Sequence, residues 1–557
     1  MSMKRIYIVI VTLVASMSIS CSLDEVAYQA DESFVVDAKT AEGVLLGVYK
    51  KLGSDGVYRL NLPFIYNLPT DEGTVGSNEL SVRKSEACNA FSATSPYVEE
   101  TWGDLYSGIF DANSFIEIMA EKMPSFSTTD QTRCSYYVAE AKALRALFYF
   151  ELVRWFGHVP LILSTAESYN PAHEFRQEDP VKVYEQIEKD LKEAAEVLPY
   201  YNEDDVRDDN AFRLSKGGVL GILTKVYATW AGHPLKDASK WESAANTAKE
   251  LVESGKHGLL SDFEQLWHNS GSNRWDPKES LLEISYWSPL ATTSSSGRVG
   301  VVNGVGSQSG GLRNGDHYYQ NLYKLQPTLI TSWKDYDKDE RFAISYCDTY
   351  YYKGGAGYTV KGVSLLQAWL EGDRESQPRK QYAYKIVPGK WNTEVYVPDA
   401  NYQVSNTYTN INWYVLRYSD VLLLYAEALN EVNQKPTAEA FEAVNMVRRR
   451  AFGQNCEVAS SESDLDPSLG YKEFRQAVQD ERKWELVGEG HRRQDLVRWG
   501  IYAEAIDKTY IELDDWSSNA RSYFLGWNYT QEGKHELLPI PQREVDLCGY
   551  TQNKGWL

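Results

Sequence analysis

Histidine, methionine and cysteine are scarce in this chain, at 8, 6 and 6 of 557 residues. No two histidines stand four apart, no CxxC pair occurs and no HExxH is present, so no metal site is expected. The phosphate cradle GxxxxGK[ST] and the nucleophile elbow GxSxG are missing as well. Gly304-Val305-Gly306 opens like a dinucleotide fingerprint, but the third glycine is misplaced and no strand precedes it, so no cofactor is expected. Positive charge is in short supply: 57 Lys plus Arg face 78 Asp plus Glu, a formal net charge of -21. Such a body repels phosphate backbones, which argues against nucleic acid as a partner. Long hydrophobic runs are lacking too. The longest apolar stretch, Ile6 to Ile19, is 14 residues, short of the roughly 20 that a membrane helix needs. What is plentiful is tyrosine and tryptophan, 39 and 16 against 17 Phe. Both pair an apolar face with a polar handle, which suits half-wet binding surfaces.

Lys4 and Arg5 precede the apolar stretch and Ser18-Ile19-Ser20-Cys21 closes it, the layout of a secretory signal. A small residue directly before Cys resembles a bacterial lipobox. That makes residues 1–20 a lipoprotein signal peptide and Cys21 the lipidated mature N-terminus. Ser22 after the cysteine fits outer-membrane sorting by the same resemblance. Five further cysteines, Cys88, Cys134, Cys347, Cys456 and Cys548, are odd in number and scattered. A full disulfide framework is excluded; small buried hydrophobes are expected, with one or two bridges left open.

Residues 21–37 read as a polar tether. From 38 to 270 the pattern is helical, strongest over Ala139 to Trp155, where apolar residues fall on both faces and Gly157 and Pro160 stop the run. Val181 to Leu198, Ser215 to Trp230 and Trp241 to Glu253 follow in the same style. Residues 271–410 form an insertion rich in Gly, Ser, Tyr and Trp, with Tyr382 to Val387 as a possible strand and Leu365 to Leu370 as a possible helix. The helical scaffold resumes over 411–510, with helices expected at Leu416 to Val432 and Thr437 to Phe452. Residues 511–557 end in an extended, proline-fixed strap around Pro539-Ile540-Pro541. The fold class is mainly α: tetratricopeptide-like helical pairs with a loop-rich, partly β insertion. The acidic run Glu203, Asp204, Asp205, Asp208 and Asp209 lacks calcium-loop spacing and reads as a solvated loop.

Four stretches are distinctive. Arg145-Ala146-Leu147-Phe148-Tyr149-Phe150 runs on to Gly157-His158-Val159-Pro160-Leu161. Leu416-Arg417-Tyr418-Ser419-Asp420-Val421 precedes Tyr425-Ala426-Glu427-Ala428. Asp480-Glu481-Arg482-Lys483-Trp484-Glu485-Leu486 leads to Glu489-Gly490-His491-Arg492-Arg493 and Asp495-Leu496-Val497-Arg498-Trp499-Gly500. Leu538-Pro539-Ile540-Pro541 precedes Gln552-Asn553-Lys554-Gly555-Trp556. Together they resemble the SusD/RagB family, with Lys554 and Trp556 as departures. In the charged block, acids and bases at helical spacing are expected to bridge packed helices; Glu485 and Glu489 read as structural, not catalytic.

The resemblance implies a non-catalytic lipoprotein on the outer-membrane surface. It implies capture of a glycan and delivery to a TonB-dependent SusC-like porin. Alternatives are capture of peptide or glycopeptide by the same fold, and a secreted glycoside hydrolase. The family's ligand loops map to two places here. The early loops offer Tyr66, Asn67, Asp71 and Glu72, with Trp102 expected to pack between helices. The insertion offers Trp275, Tyr286, Trp287, Arg313, Asp316, His317, Tyr318, Tyr319 and Gln320, then Tyr350, Tyr351, Tyr352 and Trp391. The chosen ligand set is Tyr66, Asp71, Trp287, Arg313, Asp316, Tyr318 and Tyr319. Aromatic faces would stack on sugar rings while Asp and Arg bond the hydroxyl rim.

Overall fold

The computed structural model describes residues 34–556, apart from 77–78, 169–174, 204–211, 289–295, 304–306, 309–321, 348, 355–356, 363–385, 399–407 and 517–519. Asp37 accepts a hydrogen bond from the Thr40 backbone N–H and opens α1, Ala38–Leu52. Ser95 and Pro96 begin α2, Pro96–Lys122, and Ser127 caps α3, Thr128–Phe156. Asp179 and Pro180 begin α4, Pro180–Val197, and Ser215 caps α5, Lys216–Ala231. In each case a short polar side chain satisfies an N–H that the first turn leaves unpaired. α6 spans Lys240–Glu253. Each helix packs on the next, α1 on α2 through to α5 on α6. α3 is buried almost all round because α2 and α4 flank it. It meets α2 tightly at Gly108, where an added Cβ would stand 2.5 Å from the Phe148 ring.

The chain then leaves the array. β1, Gly73–Val75, pairs antiparallel with β3, Tyr323–Leu325, tying an early loop to the insertion. β2, Ser280–Ile284, pairs antiparallel with β4, Trp413–Arg417, and every residue of both is buried. Thr349–Gly354 and Gly357–Gly362 form a hairpin. The expected helix at Leu416 to Val432 needs correction: Leu416 and Arg417 close β4, and α7 is Tyr418–Asn433. The run Trp413-Tyr-Val-Leu is aromatic and β-branched, which suits a fully buried strand. Val387 pairs in a short bridge to Cys347, whereas 382–385 and 365–370 lie outside the described residues.

α7 packs against α6 and α5, so the array resumes across the insertion. α8 is Ala438–Ala451, α9 Tyr471–Glu485, α10 Arg492–Arg498 and α11 Tyr502–Trp516. The final strap is pinned to the end of α3: Leu538 N donates to Trp155 O at 2.7 Å, and Asn553 Nδ2 donates to Phe156 O at 2.9 Å. A further helix at Gln542–Cys548 interrupts its extended course. No disulfide joins the described cysteines, and Cys88 and Cys134 are buried.

The charged block bridges elements, as expected. Arg417, at the end of β4, donates to Glu489 at 2.7 and 2.8 Å, to Glu279 at 2.9 Å and to Glu485 at 2.8 Å. Arg450 of α8 reaches Glu485 at 2.7 Å and Glu279 at 3.0 Å. From the insertion, Arg341 meets Glu485 at 3.0 Å and Lys390 meets Glu489 at 2.8 Å. Arg341 also pairs with Asp339 and Glu481, and Arg448 completes the hub on Glu481. Five cations thus face five carboxylates, nearly all withdrawn from water. Burial alone would raise the Glu485 carboxyl; Arg450, Arg417 and Arg341 outweigh it and hold it well below the usual range. A second balanced group sets Arg482, Arg498 and Lys225 against Asp420, Glu427 and Asp495. Glu485 and Glu489 are closed to solvent and fully engaged, which is the behaviour of a bracket between scaffold and insertion.

Candidate functional site

The early loop folds inward. Leu60, Leu62, Phe64, Ile65 and Tyr66 are all buried. Tyr66 is fully buried, lying between Phe91 and Trp155 at ring distances of 5.8 and 6.1 Å, with its hydroxyl toward Glu86. The expectation that Tyr66 faces a ligand is therefore corrected: its ring is part of the core. Asn67 and Glu72 are buried as well. Asp71 is gripped by Arg492 through two bonds of 2.8 and 2.7 Å. Burial opposes ionisation of Asp71, but Arg492 and Lys483 hold its carboxyl below the usual range. Arg493 donates to Tyr66 O, Leu68 O and Asn89 Oδ1 at 2.9, 2.9 and 3.0 Å. Glu72 accepts from the Tyr323 hydroxyl at 2.6 Å and from Gly488 N at 2.8 Å, and burial pushes its carboxyl up to about 7. Adjacent arginines of the charged block thus weld this loop in place.

The surface aromatic is elsewhere. Trp287 is 45% exposed, and the other tryptophans among the described residues are buried or half-buried. Its backbone is held on both sides. Tyr286 N donates to Asn412 Oδ1 and Ser288 N to Asn410 Oδ1, both at 3.1 Å. Asn410 Nδ2 returns a bond to Ser288 O at 3.1 Å. Two asparagine side chains therefore continue the β2–β4 ladder beyond its last backbone pair. Tyr286 points inward, and an added Cβ on Gly297 would come within 2.8 Å of its ring. Alternation along the extended segment then turns Trp287 to solvent.

Beside Tyr286, the loop after α1 meets the insertion in a charged rim. Asp55 bridges Arg59 at 2.6 Å and Arg298 at 2.7 Å. Both guanidiniums lie over the Tyr408 ring, at 5.4 and 5.8 Å. From α2, Asp104 accepts from Gly56 N at 2.9 Å and Glu100 from Asn61 Nδ2 at 3.0 Å. Partial burial raises both carboxyls. The rim offers donors, acceptors and an aromatic ring where early loop and insertion join.

The sequence matches a family described as the SusD family over residues 300–556. It matches a second, described as starch-binding and associating with the outer membrane, over residues 24–228. A SusD homolog from Bacteroides thetaiotaomicron VPI-5482, known as a crystal structure, is 43% identical. The match covers 94% of this chain and 98% of that one, with a TM-score of 0.87. The chain belongs to the SusD/RagB family. A laminarin binding SusD-like protein superposes with a TM-score of 0.66 at 25% identity, covering 93% of this chain and 99% of that one. SusD-like protein P25 of Formosa agariphila is 25% identical over 541 residues, 94% of this chain and 92% of its own.

In this SusD-family chain the family motifs build the frame, and the ligand candidates divide among three fates. Trp287 stands on the surface. Tyr66 and Asp71 are structural, as are Tyr286 and Trp391; Trp391 stacks on Trp413 at 5.1 Å. Trp102 packs against Tyr106 and Phe156, as expected. Trp275 is half-buried beside Phe212. Arg313, Asp316, His317, Tyr318, Tyr319 and Gln320 lie outside the described residues, as do Cys21 and Asp204 to Asp209. Tyr350, Tyr351 and Tyr352 lie on the hairpin strand Thr349–Gly354. Sequence reasoning missed Asp55, Arg59, Arg298 and Tyr408. Asp55 and Arg59 stand four apart, but Arg298 and Tyr408 reach them from 243 and 349 residues away, which no local pattern shows. Among the described residues no helix is long and apolar enough to cross a membrane.

Proposed function

We propose that this protein is a non-catalytic, surface-exposed outer-membrane lipoprotein that captures a glycan and passes it to a TonB-dependent SusC-like porin. The observation that carries the reading is Trp287, an exposed indole on a braced backbone. A flat apolar face of that kind accepts the C–H face of a sugar ring. The Asp55–Arg59–Arg298 rim, beside the neighbouring Tyr286, is proposed to supply partners for hydroxyls. Borrowing the aromatic-pair value, stacking adds ~0.5–1.5 kcal/mol beyond burial. Two or three such platforms, less the entropy of association, leave affinity in the μM to mM range, weak enough for release to a transporter. Family membership supports the reading, and so does the laminarin binding of one relative. Arg313, Asp316, Tyr318 and Tyr319 are proposed as further contacts, and Cys21 as the lipid anchor.

The test is a soluble protein beginning at Ser22, screened against plant, host and microbial oligosaccharides and against peptides, with binding and product release measured together. Binding of glycan without turnover is expected, weakened roughly twofold to tenfold by Trp287→Ala. Product release would overturn the non-catalytic reading. Binding of peptides alone would replace glycan by peptide as the cargo.

A further inference from the structure

Behind Trp287, the Asn412 side chain is itself held by a buried acid. Glu283 of β2 is 2% exposed. Its Oε1 accepts from Asn412 Nδ2 at 2.9 Å, and its Oε2 meets Ser280 Oγ at 2.8 Å. The second Asn412 amide hydrogen goes to Asn273 Oδ1 at 3.1 Å. With both hydrogens committed, Asn412 Oδ1 is turned to Tyr286 N, from which it accepts at 3.1 Å. Asn273 Oδ1 also accepts from Ser285 Oγ at 2.7 Å, and Ser285 Oγ accepts from Trp287 N at 3.4 Å. Two hydrogen-bonded routes therefore run from Glu283 to the backbone that carries the exposed indole. The Asn412 backbone is fixed separately: its N donates to Ser270 O at 3.2 Å, and its O accepts from Ser270 Oγ at 2.8 Å.

The charged groups around Glu283 are committed elsewhere or share its sign. From the loop before β2, Asp276 adds a second negative charge. Across the strand pair stands Tyr414, whose hydroxyl donates to Leu266 O at 2.7 Å. Arg417 of β4 is bound to Glu279, Glu485 and Glu489. Lys216 of α5 pairs with Glu250, and Arg59, after α1, with Asp55. Burial, with Asp276 adding to it, pushes the Glu283 carboxyl up to about 8; the bonds from Asn412 and Ser280 do not offset the lost hydration. The neutral acid satisfies every contact, with Oε1 accepting from Asn412 and the Oε2 hydroxyl donating to Ser280 Oγ. The anion gains by admitting water, and admitting water parts it from Asn412.

We propose that Glu283 is a positioning residue for the Trp287 face: protonated, it keeps Asn412 closed on the backbone at Tyr286, and ionised, it loosens the mount of the indole. The inference deepens the glycan-capture reading and rests on it only for the consequence in binding. The sign follows from linkage. An opened site ionises near the ordinary value of 4.5 and the closed site near 8. Opening therefore grows with pH, by up to about tenfold per unit between those values, and levels off above them.

Hydrogen exchange of the soluble protein beginning at Ser22 is followed without ligand at about pH 6, 7 and 8, corrected for intrinsic rates, over residues 284–288 and over 139–156 of α3 for comparison. The expected result is a fall in protection at 284–288 of up to about tenfold per pH unit, with a smaller fall in α3. In Glu283→Gln, which carries the hydrogen bonds of the neutral acid permanently, protection at 284–288 is the same at every pH. In Asn412→Ala it is low throughout and no longer follows pH. Wild-type protection that ignores pH, or a pH dependence that survives in either variant, would overturn the role. Calorimetry with laminarihexaose at about pH 6 reads the consequence. Glu283→Leu should weaken binding by no more than the roughly twofold to tenfold loss of Trp287→Ala, and should add nothing in that background. Additive losses would overturn positioning through Trp287. No binding by the wild type would count against capture of this glucan, and the exchange result would still decide the role of Glu283.

Discussion

Replacing Glu485 by Gln keeps the shape of the buried hub and removes one charge. Its Oε1 accepts from Arg417 at 2.8 Å and from Arg450 at 2.7 Å, and its Oε2 from Arg341 at 3.0 Å. The variant leaves five cations facing four carboxylates in a space closed to water, and turns an amide N–H₂ toward guanidinium donors. Deleting one partner of a buried ion network costs about 3–5 kcal/mol. At roughly 2.1 cal/mol/K per residue, a cooperative unit of ~500 residues has an unfolding entropy near 1 kcal/mol/K, so Tm should fall by ~3–5 °C. Calorimetry at pH 7 is the assay, with the exposed Glu504→Gln as control. Adding Arg450→Met to Glu485→Gln should recover part of the loss, because it restores the charge balance. A fall below ~1 °C, or one no larger than that of Glu504→Gln, would refute the view that this block holds insertion to scaffold.

Burial pushes the carboxyls of Glu72 and Glu86 up to about 7 and that of Glu283 up to about 8. The folded state therefore keeps protons that the unfolded chain sheds above about pH 4.5. Their contribution to stability is complete below that pH and is lost as pH rises toward 7–8, at about 1.4 kcal/mol per pH unit for each group. Asp495, held near 2 against its burial by Arg482 and Arg498, has the opposite sign and loses stability in acid. Tm should peak near pH 5, and Glu283→Gln should flatten the descent between pH 5 and 8. Gly108→Ala drives a methyl into the Phe148 ring and should cost about 1–3 kcal/mol in urea unfolding. Arg492→Ala leaves Asp71 without its bidentate partner; a loss of about 2 kcal/mol is expected, with faster hydrogen exchange over residues 66–72. Trp287→Ala should weaken glycan binding while leaving Tm within ~1 °C, because the ring lies on the surface.

The helical array was legible because its signals are local. Stripes and stop residues placed α3 to α6 to within a few residues, except that α3 begins earlier, at Thr128. The other shifted boundary, at Leu416 and Arg417, marks a strand paired with the distant β2. The charged block was read correctly as a bridge, since so many alternating charges on scaffold helices need partners on neighbouring elements. The proposed ligand face was far less legible. Tyr66 was expected at a ligand because the family resemblance places ligand loops after the first helices. Yet five of the seven residues from Leu60 to Tyr66 are large and apolar, a density that itself signals an inward loop. Trp287 is distinguished from the buried tryptophans only by the asparagine bracing behind it. That bracing joins residues more than 120 positions apart.

The packing of α7 on α6 also sets an order of events. The two helices are neighbours in space but about 165 residues apart in sequence. A chain emerging from its N-terminus at ~5–20 residues per second leaves the α6 face uncovered for roughly 10–30 s. The buried residues of α6 are Ala244, Ala245, Ala248 and Leu251, a sparse set for a helix of this length. Three alanines expose little apolar area while they wait, so the half-built array is less sticky than one faced with leucine. The unfinished protein is thereby protected by the smallness of its contacts, and the Arg417–Glu485–Arg450 cluster closes only after the last scaffold helices arrive.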